Sequence, residues 1–294
     1  MPALPEIRDI VVTHPERVID GDITKGDVVA YYADVAELML PELARRALTL
    51  ERFTKGLAAG GFYQKHWQKH YPSWIARATS NKVTYPVCDT AAALVYFANQ
   101  GGLAYHVWTS RVGEPMQPDV LVFDLDPPDN GFEMVRVTAR LLEKTLGELA
   151  VPAFVKTTGS KGLHVIAPLD GKDTYRTVEQ LAGAIATQLC AQYPDLLTTE
   201  FYKKDRGGRL FLDTLRNAPG ATFVAAYSLR GRPHLPVSAP IAWAEVDDDA
   251  LRPDQFTLRN LRARLDKRGD PWAKLRANEG SASAALARVL AASP

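Results

Sequence analysis

Leu121-Val122-Phe123-Asp124-Leu125-Asp126-Pro127-Pro128 is a strand-like apolar run that ends in two carboxylates at i and i+2. Residues two apart on a strand point to the same face, so Asp124 and Asp126 can share one metal ion or straddle two. Like charges held that close repel each other and raise a pKa unless a cation lies between them. Pro127 and Pro128 cannot donate to a ladder, so they stop the strand and leave its carboxylates at an open end. Taken alone, D-x-D at a strand end serves as well for a turn or a helix cap. The rest of the chain has to decide.

Around this run the periodicities alternate between helix and strand. Thr24 precedes Val28, Tyr31, Tyr32, Val35, Leu38 and Met39 at helical spacing, which predicts a capped helix ending near Pro41. Asp89-Thr90 opens a second helix that Gly101-Gly102 terminates, and Leu103 to Trp108 alternates like a strand. Phe132 to Leu149 and Val178 to Leu189 carry two further amphipathic helices, with strands at Phe154 to Thr157 and Leu163 to Pro168 between them. Strands are also expected at Arg209 to Leu215 and Thr222 to Tyr227, and a helix capped by Thr257 uses Leu258, Leu261 and Leu265. Hairpins mixed with helices, without regular βαβ alternation, predict an α+β fold with largely antiparallel sheets flanked by helices. Residues 1–267 read as one catalytic domain, and 268–294 as a C-terminal extension, partly disordered or weakly helical from Gly280.

The 294 residues are 46% hydrophobic and 23% charged, the composition of a globular protein with a substantial core. Its 35 basic and 34 acidic residues nearly cancel, so any nucleic-acid partner must be met by local patches rather than a global field. Cys88 and Cys190 lack metal-ligand spacing and fit a reducing cytosol. Neither a signal region nor an apolar stretch long enough to span a bilayer is present, so secretion and a membrane partner are not expected.

A third acid, Asp213, sits in the apolar run Arg209-Leu210-Phe211-Leu212-Asp213-Thr214-Leu215, where an isolated carboxylate is costly unless it faces a metal, a cation or water. Three strand-borne carboxylates suit two hard divalent ions, Mg²⁺ or Mn²⁺ rather than Zn²⁺. Two such ions about 3.5 to 4 Å apart clamp the attacking and leaving oxygens of a phosphoryl transfer. The other reading of Asp213 is an ion pair with Arg209 or Arg216.

Lys156-Thr157-Thr158-Gly159-Ser160-Lys161-Gly162-Leu163-His164 combines hydroxyls, glycines, lysines and a histidine, and such a loop can offer backbone N–H groups and Lys161 to a triphosphate. Its spacing is not that of a Walker A loop, and a solvated hairpin turn is the competing reading. Arg206, Arg209, Arg216 and Arg230 bracket Asp213, and guanidinium groups bind phosphate oxygens in pairs. His106, in Tyr105-His106-Val107-Trp108, can stack on or hydrogen-bond a sugar, or serve as a satisfied core residue. Phe62 to Tyr71 interleaves aromatics with cations, the combination that stacks bases and neutralises phosphates.

Four segments together, Phe123-Asp124-Leu125-Asp126-Pro127, Lys156 to His164, Leu212-Asp213-Thr214-Leu215-Arg216-Asn217 and Ala226-Tyr227-Ser228-Leu229-Arg230-Gly231-Arg232-Pro233, resemble the polymerase domain of the bacterial end-joining ligase D. That domain is a branch of the archaeo-eukaryotic primase superfamily, and the likeness runs from about residue 10 to 267. The resemblance implies a primase-like fold with its active site at the sheet ends, and a ribonucleotide-tolerant, template-directed nucleotidyltransferase fed by NTPs or dNTPs. It implies that Asp124, Asp126 and Asp213 bind two catalytic Mn²⁺ or Mg²⁺ ions. Thr158, Ser160, Lys161 and His164 then belong to the nucleotide-binding motif, Arg216 and Arg230 contact the triphosphate, and His106 lies beside the sugar.

On the DNA side, the resemblance implies that Phe62 and Tyr63 stack at the template with Lys65 as the neighbouring cation, and that Lys25 holds the 5′-phosphate across a gap. There the chain departs from the family pattern of a lysine, Tyr-Pro and a longer turn. It has Arg17 and then the shorter Val18-Ile19-Asp20-Gly21-Asp22-Ile23-Thr24-Lys25, in which Asp20 and Asp22 add repulsion. The expected role is gap filling or end extension in non-homologous end joining, with Ku and a DNA ligase as partners, in the bacterial cytoplasm at the nucleoid. Gap filling in excision repair or priming is the second reading, and a non-enzymatic DNA-end-binding or synapsis module the third.

Overall fold

Val120–Asp126, stopped by its two prolines, is a strand in the computed structural model, which describes residues 10–129 and 131–292. The chain divides into two compact units that share it in alternating segments. One comprises the residues up to Gly113 with Thr222–Ala239 and Phe256–Lys267; the other comprises Glu114–Ala221, Pro240–Gln255 and the residues from Arg268.

In the second unit Val120–Asp126 lies inside a six-stranded sheet. The order across it is Leu197–Thr198, Leu210–Asp213, Val120–Asp126, Leu163–Pro168, Phe154–Thr157 and Pro240–Ile241. Every pairing is antiparallel except the outermost, Leu197–Thr198 beside Leu210–Asp213. Helices Phe132–Glu148 and Tyr175–Gln192 pack on this sheet. The first buries Val135, Ala139, Leu142 and Leu146, a stripe at helical spacing.

In the first unit a four-stranded antiparallel sheet has the order Thr222–Val224, Gly102–Trp108, Leu48–Arg52 and Phe62–Gln64. Helices Lys25–Asp34 and Ala91–Asn99 pack on each other beside it. Thr24 and Asp27 cap the first reciprocally, and Ala93 N–H donates to Thr90 Oγ1 in the second. The fold is α+β with mainly antiparallel sheets, and the strand–loop–strand run from Phe154 to Pro168 lies where its alternation places it.

Three elements differ from their sequence expectation. The helix beginning after Thr24 is two helices, Lys25–Asp34 and Ala36–Leu43, because Val35 leaves the helical region and restarts the ladder; Pro41 sits inside the second instead of ending it. The helix expected from Thr257 begins at Leu261, after a turn in which Asn260 Oδ1 accepts from Thr257 N–H and Leu261 N–H donates to Thr257 O. The tail is bound rather than loose. Gly280 N–H donates to Pro168 O, Asp170 N–H donates to Gly280 O, and helix Ala282–Ala292 packs Ala282, Ala285 and Val289 against Tyr175–Gln192. Small side chains on that helix let the two backbones approach closely, a role that low sequence complexity hides. Residues from Arg268 belong to the second unit, whose last segment begins where the sequence reading sets its boundary. Among the described residues no helix is long and apolar enough to cross a membrane.

Candidate active site

The antiparallel register sets Asp124 directly opposite Asp213 and Asp126 opposite Phe211. Register partners share a face, so the three acids form one cluster at the open end of the central strands. Asp213 is buried, and Leu215 N–H donates to its Oδ1 at 2.7 Å. Burial raises its carboxyl pKa; Leu215 and Arg216 pull it down, and Asp124 and Asp126 push it further up. Burial likewise pushes Asp124 up, but His164, Arg216 and Lys156 outweigh it and hold its pKa at about 2.

Cations answer each acid. Arg216 bridges two of them, its Nε 3.3 Å from Asp124 Oδ2 and its Nη2 3.2 Å from Asp213 Oδ2. Arg206 Nη1 lies 2.8 Å from Asp126 Oδ2, with its guanidinium 4.3 Å over the Phe211 ring. Both readings of Asp213 therefore meet in one place: it pairs with Arg216 and shares a cluster with two more acids. Among the described residues no three acidic, histidine or cysteine side chains are gathered into a ready metal cage. The donor chemistry still fits hard divalent cations, because the acids supply only oxygen, and the positive heads of Arg206 and Arg216 already lie where cationic charge is needed.

His164 is opposite Asp124 on one side and Lys156 on the other, with Nε2 3.4 Å from Asp124 Oδ1. Burial and then Lys156 hold its pKa down at about 4, against the pull of Asp124, so the imidazole is neutral at pH 7. A row Asp213–Asp124–His164–Lys156 thus crosses three strand pairings on one face. The intervening loop is closed by Thr158, whose Oγ1 donates to Gly162 O and accepts from Gly162 N–H. Its hydroxyl shapes the loop. Lys161 is exposed and pairs with Asp129 at 2.8 Å, and Ser160 is partly exposed beside it.

The remaining candidates belong to the first unit. His106 lies on Gly102–Trp108, its ring edge-on to Tyr63 with centroids 5.7 Å apart. Phe62 and Tyr63 are exposed, Phe62 lies under the Arg52 guanidinium at 5.6 Å, and Lys65 is exposed. Arg230 holds its segment through N–H donation to Pro236 O. Arg17 and Lys25 line a cavity of about 190 Å³ together with Thr13, Arg52, Thr54 and Asn99. Lys25 is buried, its Nζ donates to Thr13 O and Oγ1, and burial and then Arg17 lower its pKa. The two aspartates expected to repel a phosphate here are turned to other partners: Asp20 accepts from His234 N–H at 2.7 Å and Asp22 pairs with Arg259 at 2.8 Å.

Sequence reasoning placed Arg206 among the arginines around Asp213 but not against Asp126, and assigned Lys156 no role of its own. Lys156, fully buried within the apolar strand Phe154–Thr157, carries its signal in burial cost alone. Arg206 gives no such signal, because its partner Asp126 is distant in sequence.

A family model described as "LigD, primase-polymerase domain" matches residues 24–272. The multifunctional non-homologous end joining DNA repair protein LigD of Mycobacterium tuberculosis H37Rv is 38% identical over 285 residues, covering 92% of this chain and 37% of the relative. The bifunctional non-homologous end joining protein LigD of Bacillus subtilis is 32% identical over 251 residues, covering 85% of this chain and 41% of the relative. The chain thus spans about two fifths of the length of these relatives. Among solved structures, the polymerase domain of Mycobacterium tuberculosis ligase D in complex with DNA is similar at a TM-score of 0.86 and 35% identity, over 92% of this chain and 99% of that one.

Proposed function

The chain belongs to the LigD primase-polymerase domain family, and from that membership we propose that it is a template-directed nucleotidyltransferase filling short gaps or extending ends in non-homologous end joining. The observation that carries the reading is the shared face of Asp124, Asp126 and Asp213 at the strand ends. These three are proposed to hold two Mg²⁺ or Mn²⁺ ions, a role their all-oxygen donor set suits. Bound there, the ions would supply Lewis-acid activation of a primer 3′-hydroxyl and neutralisation of the triphosphate.

The chain's own residues position and balance charge. Arg216, which in the free protein neutralises Asp124 and Asp213, is proposed to turn to the triphosphate when nucleotide arrives. Lys161, Ser160 and the backbone of the Thr158–Gly162 loop are assigned to phosphate oxygens. Neutral His164 donates to Asp124 and keeps that carboxylate ionised and oriented. In the first unit, Arg230 is assigned to phosphate, His106 to the sugar, Phe62 and Tyr63 to template bases, and Lys65 to a backbone phosphate. Arg17 and Lys25 are assigned to a 5′-phosphate, a reading helped by the engagement of Asp20 and Asp22 elsewhere.

The proposed partners are gapped or broken DNA, Ku and a DNA ligase, in the bacterial cytoplasm at the nucleoid. Primer extension on gapped DNA with and without a downstream 5′-phosphate, with Mn²⁺ and each nucleotide type, tests this. The expected outcome is templated addition, with the 5′-phosphate improving affinity at low salt by about 1 to 3 kcal/mol and the gain lost in Lys25→Ala. Templated addition indifferent to the phosphate would favour general gap filling or priming, and no addition would remove the polymerase reading.

A further inference from the structure

The sheet of the first unit carries a carboxylate that the proposed chemistry does not use. Glu51 lies on Leu48–Arg52, between the strand of Tyr63 and the strand of His106. Register sets Glu51 opposite Tyr63 on one side and Ala104 on the other, and sets Thr49 opposite His106. Register partners and residues two apart share a face, so Thr49, Glu51, Tyr63, Ala104 and His106 form one surface. Leu48, Leu50, Tyr105 and Val107 alternate onto the other side and are buried. The rings of Tyr63 and His106 meet edge-on at 5.7 Å, reaching toward each other across the strand that carries Glu51. Ala104, opposite Glu51 on the other side, is fully buried, so the face is open only around Thr49, Glu51, Tyr63 and His106.

Glu51 is half-buried, and no hydrogen bond or ion pair among the described residues holds it. Burial raises its pKa, with Arg230 and then Arg232 drawing it partly back. A half-buried carboxylate without a donor is a costly arrangement that a donor from a ligand would relieve. Two rings, a carboxylate and nearby guanidinium groups suit a nucleotide: the rings can face base and sugar, the arginines favour phosphate, and the carboxylate, which accepts and cannot donate, suits a sugar hydroxyl. An acidic side chain reads a ribose hydroxyl in this way in dinucleotide-binding folds.

We propose that Glu51 reads the sugar of the incoming nucleotide, accepting a hydrogen bond from the 2′-hydroxyl and so favouring ribonucleotides over deoxyribonucleotides. This rests on the polymerase reading above and adds a specificity-determining residue to it. A deoxyribonucleotide leaves the carboxylate without its donor, and a site built to hydrogen-bond a hydroxyl discriminates against the analogue that lacks it.

Single-nucleotide incorporation of ATP and dATP opposite thymine, in wild type, Glu51→Ala and Glu51→Gln, tests the assignment. The expected result is a wild-type preference for ATP and a fall of about tenfold in the ratio of kcat/KM values, ATP over dATP, in Glu51→Ala, the worth of one charge-assisted hydrogen bond. The loss should fall on ATP, and Glu51→Gln, which keeps an acceptor oxygen, should recover part of the ratio. An unchanged ratio in Glu51→Ala overturns the proposal. So does an equal fall for both nucleotides, which would make Glu51 a support for Arg230 or for the sheet while the polymerase reading stands. Incorporation of neither nucleotide by wild type removes the polymerase reading and this assignment with it.

Discussion

The charge on Asp124 is set by what surrounds it: burial opposes ionisation, and His164, Arg216 and Lys156 enforce it. His164 is held neutral in the same row, which has a measurable consequence for stability. Its folded pKa of about 4 lies below the unfolded value near 6.5, so between those values the unfolded chain takes up a proton that the folded chain refuses. The contribution of His164 to stability is therefore full above about pH 6.5 and falls as pH drops through that window, by on the order of 3 kcal/mol. Denaturant titrations of metal-free protein from pH 7 to 4 should show this slope, and His164→Gln should flatten it; an unchanged slope in the variant would refute the assignment. The three aspartates were legible because a carboxylate in an apolar strand is conspicuous. The pairing of Arg206 with Asp126 and the places of Lys156 and Glu51 were not, because a charged residue's role depends on which elements lie beside it, and one sequence does not show pairing order.

The hairpin from Phe154 to Pro168 puts a loop beside the aspartate strand, and two glycines make that possible. Gly159 has φ of +63°, a left-handed backbone that favours glycine. Gly162 packs so closely on the central strand that a Cβ there would lie 2.0 Å from Leu125 O. Gly162→Ala must therefore push the loop off the strand. The expected cost is about 1 to 3 kcal/mol or more in a denaturant melt, with templated addition falling as Lys161 and Ser160 move. Wild-type stability in this variant would show that the loop has slack. The hairpin itself was legible from alternation broken by a glycine-rich turn. The restart at Val35 and the helix Ala282–Ala292 were not: a ladder break at a helix-compatible residue leaves no compositional mark, and alanine-rich packing becomes visible only against its partner helix.

At the scale of the whole molecule, each unit is assembled from separated stretches of chain, and the second gathers the aspartates, the loop and the tail that binds Pro168. A linear boundary at 267 marks one of several places where the chain crosses between the units: Thr222–Ala239 and Phe256–Lys267 also return to the first unit. The α+β class was legible from the mixture of periods, and the family from four short segments in order. Balanced charge neither pointed to nor excluded the proposed DNA partner. The central claim is that Asp124, Asp126 and Asp213 form one catalytic cluster. Single-turnover incorporation of one nucleotide on a primed template in Mn²⁺, by wild type and by Asp124→Asn, Asp126→Asn and Asp213→Asn with their folding checked by circular dichroism, tests it most directly. The account predicts that each folded variant loses about a thousandfold or more in rate; a folded variant of any of the three that stays within about tenfold of wild type would contradict it.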